Sequence, residues 1–329
     1  MWNLHLYFNA FIIPESIEKD AMAEPLTEIK LIALDIDGTL LDPDGQITPR
    51  VHSAIREAQR AGIIVTLATA RRYVGARLVA DALDFALPLI VYDGALIVEY
   101  PAQSILYSRS LSARLAGQVI EIFLRHAIQP VVQICERLLE KVWTGPAERD
   151  HPELATYIAT TSEHLLRLPY AQLHSGSVDP LRVVAFASQP AIEQIIPEIS
   201  ALACSWNAIK KGSFNCAELA VMCPGCSKAS GVAALAAFYA IPLTQVMAIG
   251  DDTNDIPMLQ LAGWGVAMGQ APAIVKAAAR TQTTSNREDG VALAIECYAL
   301  ARQTQMCLPT PDIGGAGPAA LSRGLPTTG

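Results

Sequence analysis

Asp35 and Asp37 stand on either side of one isoleucine in the stretch LDIDGTLLD (residues 34–42), directly after the apolar run LIAL. Two like charges at that spacing can ligate a metal, do acid/base work or form a polar turn. A calcium loop of the EF-hand type requires glycine sixth and glutamate twelfth. Counting from Asp35 puts Leu40 sixth and Gln46 twelfth, and counting from Asp42 puts Ile47 sixth, so that reading fails. Asp-Gly is ordinary turn chemistry, but a turn has no use for Asp35. A second group of acids lies in GDDTND (residues 250–255), which ends the apolar run QVMAI.

Both groups depend on the elements that carry them. Thr48-Pro49 reads as a helix N-cap followed by proline at the first helical position. Val51, Ile55 and Ala58 recur at helical spacing, and Gly62 stops the helix. IIVTLA (63–68) has strand length, a helix is expected from Arg72 to Leu83, and LPLIVYDG (87–94) is a second buried strand ending in Asp93-Gly94. Strand and helix alternating with short links predict a doubly wound, Rossmann-like parallel sheet covered on both faces, an α/β fold. The pattern changes between about residues 107 and 212. There a helix over SARLAGQVIEIFLRHA, strands PVVQIC and LRVVAFAS and a helix PAIEQIIPEISAL predict a separate α+β unit of ordinary domain size. The alternation is expected to resume with AELAVM, a helix from Ser227 to Tyr239, the strand QVMAIG, a helix over IPMLQLA, the strand WGVAMG and two more helices.

The chain thus divides into a core from 28 to 106, an inserted unit from 107 to 212 and a second core part from 213 to 303. A poorly ordered extension is expected over 1–27, with Met22 as a candidate start, and a disordered Pro/Gly/Thr-rich tail over 304–329. Ligands of open parallel sheets bind at the carboxyl ends of the strands. Asp35-Ile36-Asp37, Thr69-Ala70-Arg71, Asp93-Gly94 and Gly250–Asp255 all fall at such ends.

Several carboxylates on one rim raise one another's pKa values unless a cation neutralises them. Oxygen-only ligands favour Mg²⁺, which keeps waters and completes its shell with substrate phosphate. With the metal bound, one carboxylate can attack phosphorus and a second can move protons. Phosphoryl transfer also needs donors around the equatorial oxygens. Thr69 offers a hydroxyl, Gly38 and Ala70 allow backbone N–H groups to approach, and Lys228 sits at a helix N-terminus where an anion is favoured.

DIDGTLL, LATAR, the lysine of GCSKASGVAAL and GDDTNDIPML resemble motifs I to IV of the haloacid dehalogenase superfamily of phosphohydrolases. AMGQAP and SNREDGVA are similar to the end of its Cof-type branch (subfamily IIB), whose members carry a large α/β cap between motifs II and III. The resemblance covers roughly residues 30–302. It implies that Asp35 is a nucleophile forming an aspartyl-phosphate and Asp37 the general acid/base. It implies that Thr69 and Lys228 hold the phosphoryl group, with Gly38, Ala70, Asp93, Gly94 and Asn254 beside the substrate. It further implies that Asp251, the Asp35 carboxylate and the Asp37 backbone carbonyl bind Mg²⁺, supported by Asn254 and Asp255. Two residues depart from the pattern. Ala70 replaces the usual glycine of motif II, which is harmless unless that position needs positive φ. Asp93 replaces an asparagine, and the sequence leaves open whether it points aside, is neutralised or marks a different substrate.

The expected activity is Mg²⁺-dependent hydrolysis of a small phosphorylated metabolite, such as a sugar phosphate. A phosphomutase of the same superfamily is one alternative, and a phospho-acceptor or regulatory binding protein without turnover is another. The 24 Lys and Arg against 32 Asp and Glu, net −8, give no basic face for nucleic acid. No apolar stretch reaches the roughly 18 residues of a membrane span. Seven scattered cysteines suit a reducing cytoplasm, and a monomer or weak homo-oligomer is expected. The C-x-x-C of CPGC (223–226) has no second pair to complete a zinc site and reads as two incidental thiols. Arg71 reads as a surface or structural arginine, and the six histidines as surface or packing residues.

Overall fold

The computed structural model describes residues 28–150, 152–159, 161, 165–173, 179–210 and 216–300. The expectations for the N-terminal extension and the C-terminal tail lie outside the described residues. The chain begins with β1 (Leu31–Leu34), α1 (Pro49–Arg60), β2 (Ile64–Ala68), α2 (Tyr73–Leu83), β3 (Leu87–Val91), β4 (Leu96–Tyr100) and β5 (Ser104–Ser108). A second unit follows with α3 (Ala113–Arg125), β6 (Val131–Glu136), β7 (Leu139–Thr144), α4 (Pro152–Ala159), β8 (Leu165–Arg167) and α5 (Tyr170–Leu173). It closes with β9 (Arg182–Ala187), α6 (Gln189–Ser200), β10 (Ser205–Ile209) and β11 (Ala217–Met222). The first unit resumes with α7 (Lys228–Phe238), β12 (Val246–Gly250), α8 (Ile256–Leu261), β13 (Trp264–Ala267), α9 (Ala273–Ala278), β14 (Thr281–Gln282) and α10 (Gly290–Ala294).

Among the described residues these strands form two sheets. The larger has eight strands in the order β14-β13-β12-β1-β2-β3-β4-β5. It is parallel from β14 to β3 and antiparallel where β4 and β5 extend its edge. Side chains alternate across β1: Ile32 and Leu34 enter a core with α1, α2 and α10, whereas Leu31 and Ala33 enter one with α7, α8 and α9. Both faces of β1 are therefore dry, which explains its unbroken apolar run. The helix after it starts as its sequence dictates, with the Thr48 hydroxyl accepting from Val51 N–H at 3.3 Å and Pro49 in the first turn. Gly62, at φ +82°, follows its end.

The inserted unit carries the six-stranded sheet β10-β11-β9-β6-β7-β8, mostly antiparallel, with α3 and α6 packed on one face. This corrects the reading of AELAVM as the strand on which the core resumes. As β11 it lies between β10 and β9 of the cap sheet, and the core resumes at CPGC. An apolar strand carries no record of which sheet takes it, so its sequence could not place it. The core likewise extends past 106, because β5 pairs with β4 as far as Ser108. Among the described residues no helix is long and apolar enough to cross a membrane.

Candidate active site

In the central register Leu34 lies opposite Leu67 of β2 and Ile249 of β12. The residues that follow these three strands therefore emerge on one edge, although more than 200 residues separate Asp35 from Asp251. The Asp35 N–H continues the ladder by donating to Ile249 O at 3.0 Å. Ile36, fully buried, turns into the core between the two aspartates, so Asp35 and Asp37 face the edge in different surroundings. Gly38 then has φ +85°, and a Cβ there would lie 2.3 Å from Asp251 Oδ2. Glycine is required twice over, for the left-handed turn and for the approach of motif I to the second acidic loop.

Asp35 is 4% exposed. Its Oδ1 accepts from Lys228 Nζ at 2.6 Å, and the same ammonium donates to Asp255 Oδ1 at 2.7 Å. Burial opposes the charge on Lys228, but Asp255 and Asp35 outweigh it and hold its pKa above the usual lysine range. Asp255 Oδ2 accepts from the backbone N–H groups of Asp251 and Asp252, both at 3.0 Å. Both Asp255 oxygens are thus engaged in fixing Lys228 and the acidic loop. Asp251 uses Oδ1 to accept from the Thr39 hydroxyl at 2.8 Å. Thr39 is a buried contributor that the sequence reading did not single out, although it follows directly on Asp-Gly.

Carboxylate oxygens of Asp35, Asp251 and Asp255 lie within 4.8 Å of one another. Burial, together with Asp255 and Asp251, pushes the Asp35 carboxyl well above its ordinary range despite Lys228. Burial likewise raises Asp251 from 3.8 to about 6, against the Thr39 hydrogen bond. Asn254 Oδ1 is buried without a hydrogen-bond partner among the described residues, and Asn254 lines the same cavity as Asp35. Crowded carboxylates with raised pKa values and an orphaned carbonyl oxygen make a donor set that fits a hard divalent cation. The sign of the pH dependence follows. Because the folded Asp251 binds its proton more tightly than the unfolded one, that contribution to stability is complete below about 4 and lost as pH rises through about 6. Metal-free protein in EDTA should therefore lose melting temperature across that window. Asp251→Asn should flatten the slope, and an unchanged slope in that variant would refute the assignment.

Asp37 is held by a two-pronged contact from Arg71, Nε to Oδ2 at 2.8 Å and Nη2 to Oδ1 at 2.6 Å. Arg71, which the sequence presents as a surface or structural arginine, lines the cavity beside Asp37. Its guanidinium reaches back across 34 residues to the second aspartate of motif I, a contact that no local spacing signals. The Thr69 hydroxyl accepts from Arg71 N–H at 3.1 Å, which leaves its proton for an anion. Ala70 lies outside the left-handed region, so replacing glycine there carries no backbone cost. A cavity of about 610 Å³ between core and cap is lined by Asp35, Asp37, Thr69, Ala70, Lys228 and Asn254. Gly38, Asp93, Gly94, Asp251 and Asp255 are not among the residues that line it.

Residues 32–295 match the family model for haloacid dehalogenase-like hydrolases. The chain belongs to that family. It is 27% identical over 293 residues to the 5-amino-6-(5-phospho-D-ribitylamino)uracil phosphatase YitU of Bacillus subtilis, an alignment covering 83% of this chain and 98% of the relative. It is also 27% identical to the pyridoxal phosphate phosphatase YbhA of Escherichia coli, over 80% of this chain and 96% of that one. Among solved structures it resembles a haloacid dehalogenase-like hydrolase from Bacteroides thetaiotaomicron, with TM-score 0.67 and 24% identity, over 82% of this chain and 99% of that one.

In this hydrolase the question left open at Asp93 has an answer: the carboxylate is neutralised from the cap. Arg182 Nη1 of β9 donates to Asp93 Oδ2 at 3.1 Å, and Asn207 Nδ2 of β10 to Oδ1 at 3.1 Å. Both ions are buried, with side chains 3% and 4% exposed. Asp93→Ala should thus destabilise the hydrolase by about 3–5 kcal/mol, because Arg182 loses its partner in a dry site; chemical denaturation measures this, and a cost near zero would contradict it. A second clamp crosses the same interface. Glu140 of β7 accepts from Arg72 at 3.2 Å, from Val74 N–H at 3.3 Å and from the Tyr92 hydroxyl. Gly94 serves packing, since a Cβ at its φ of +89° would lie 2.1 Å from Ser227 O. Its small size lets the start of α7, and with it Lys228, come against the end of β3.

The CPGC thiols lie where the cap returns to the core. Cys223 and Cys226 are both free thiols. Cys226 donates to Asp93 O at 3.4 Å, and its hydrogen bond to Cys223 lowers that thiol to about 7 against the effect of burial. Neither lines the cavity. The double variant Cys223→Ser, Cys226→Ser should therefore retain most activity in steady-state assays, within about threefold of the parent. Near-complete loss would assign the pair a part in the reaction.

Proposed function

We propose that the protein is a Mg²⁺-dependent phosphatase that hydrolyses a small phosphorylated metabolite through an aspartyl-phosphate on Asp35. Its class, a phosphoric monoester hydrolase, rests on the family and on the site together. The observation that carries the reading is the Asp35 carboxylate. One oxygen is fixed by Lys228, the other takes no hydrogen bond among the described residues, and the residue opens on the cavity.

The Asp35 and Asp251 carboxylates and the Asp37 backbone carbonyl would hold Mg²⁺, with Asn254 beside it and Asp255 fixing the loop from behind. The bound ion supplies neutralising charge for the carboxylates and for the phosphate. Asp35 attacks phosphorus with its free oxygen, while Lys228 and the Thr69 hydroxyl bind the phosphoryl oxygens as charge shifts onto them. Asp37 gives a proton to the departing oxygen, then takes one from the water that opens the aspartyl-phosphate. Arg71 is a positioning residue that aims the Asp37 carboxylate. A phospho-acceptor without turnover would need neither this second aspartate nor a domain-sized cap over it.

YitU and YbhA, at the same identity to this chain, are named for chemically different phosphomonoesters. The resemblance therefore supports a class of substrate and no single member. The odd number and scatter of the seven cysteines support a cytoplasmic setting. The test is steady-state hydrolysis of p-nitrophenyl phosphate with Mg²⁺. Activity that disappears with EDTA and returns with Mg²⁺ is expected, and turnover indifferent to chelation would overturn the proposal.

A further inference from the structure

The cap closes the cavity with a wall of fixed chemistry. Across the cap sheet, Glu218 of β11 lies opposite Phe186 of β9 on one side and Ile209 of β10 on the other, and all three line the cavity. Gln133 and Arg182 line it too, but both are engaged. Arg182 donates to Asp93 and, through Nε, to Gln133 Oε1 at 2.6 Å, while Gln133 Nε2 donates to the Tyr157 hydroxyl at 2.7 Å. At the catalytic end Arg71 is bound to Asp37, Arg72 to Glu140, and Lys228 to Asp35 and Asp255.

Among the polar residues that the cap contributes to the cavity, Glu218 is the exception. Its carboxylate has neither an ion pair nor a hydrogen bond among the described residues, although it is only partly exposed. Burial raises its carboxyl above the ordinary range and Asp93 adds to this, with Arg182 opposing. A half-desolvated acceptor is costly to leave alone, and the group that relieves that cost is a donor. Asp93 behind Arg182 removes the charge with which that arginine would otherwise attract an anion.

We propose that Glu218 determines specificity by accepting hydrogen bonds from the leaving group. The substrate is accordingly a monophosphate whose far end carries O–H or N–H donors and no second phosphate or carboxylate. This deepens the phosphatase reading and rests on it. A cavity of about 610 Å³ is of the size that holds a metabolite with a ring or a polyol chain. The hydrophobic side of such a group would meet Phe186 and Ile209, on either side of the carboxylate.

The test compares kcat/KM for a hexose monophosphate and an aminoalkyl phosphate with kcat/KM for a hexose bisphosphate and a phosphorylated sugar acid. p-Nitrophenyl phosphate, which has no donor, is the reference. The parent should favour at least one donor-bearing ester over both anionic ones by about tenfold or more. In Glu218→Ala the ratio of kcat/KM for that ester to kcat/KM for p-nitrophenyl phosphate should fall about 10- to 100-fold, mainly through KM. Glu218→Gln, which keeps one acceptor oxygen, should fall less. Melting temperature should not drop in either variant, since an unpartnered carboxylate contributes no folding energy. The inference is overturned if the parent prefers an anionic ester or shows no preference, or if the ratio in Glu218→Ala stays within about twofold of the parent. Failure to hydrolyse p-nitrophenyl phosphate, or hydrolysis that survives Asp35→Asn, would instead overturn the phosphatase reading.

Discussion

Asp35→Asn is expected to lower kcat by at least about four orders of magnitude, because on the proposed mechanism it removes the attacking oxygen and leaves the rest of the site standing. The amide keeps the volume and the position after β1, and it relieves repulsion from Asp251 and Asp255, which push the parent carboxyl upward. The fold should therefore survive, and the variant should still bind a substrate or phosphate analogue. Steady-state kinetics and a binding titration on one preparation measure both halves of this expectation. Retention of more than about one per cent of kcat would take the nucleophile's role from Asp35.

Lys228→Met is expected to damage both stability and activity. The parent ammonium is 3% exposed and bridges Asp35 and Asp255 at 2.6 and 2.7 Å. Its raised pKa means that its contribution to stability is fully present at neutral pH and fades only above the ordinary lysine range. Methionine fills similar space but leaves two buried carboxylates uncompensated, at a cost of about 3–5 kcal/mol. Loss of a charge aimed at the phosphoryl oxygens should lower kcat by about three orders of magnitude or more. Arginine should not rescue it, since a planar fork cannot take the place of one compact ammonium between two oxygens. Adding Asp35→Asn to Lys228→Met should restore part of the stability, because one of the two stranded charges is gone. If Lys228→Met melts with the parent, the bridge is not what holds the acidic loop against β1.

The acidic edge was legible because chemistry and topology coincide in short segments. Asp35, Thr69 and Asp251 each follow a strand whose apolar run is visible, and a parallel sheet sends all such ends one way. The helix from Thr48-Pro49 was legible for equally local reasons. The interface was not. Glu140 with Arg72 and Arg182 with Asp93 join residues 68 and 89 positions apart across the two units. Such pairs depend on how two units dock, and neither partner marks the other in sequence. The departure at Asp93 was visible as an anomaly, but its resolution required an arginine from a sheet whose strand order the sequence does not reveal. β11 shows the same limit: a dry strand suited either sheet, and only its pairing with β9 and β10 assigned it to the cap. One consequence reaches the site, since that assignment puts Glu218 on the cavity wall.

The central claim is that phosphate passes through Asp35. The most direct measurement is acid quenching of a single turnover with a radiolabelled phosphomonoester and Mg²⁺, followed by peptide mapping. The account predicts transient label on the peptide containing Asp35, stable to acid, released by mild base, and absent from Asp35→Asn. Turnover with no labelled peptide at any quench time, or label on another residue, would contradict it.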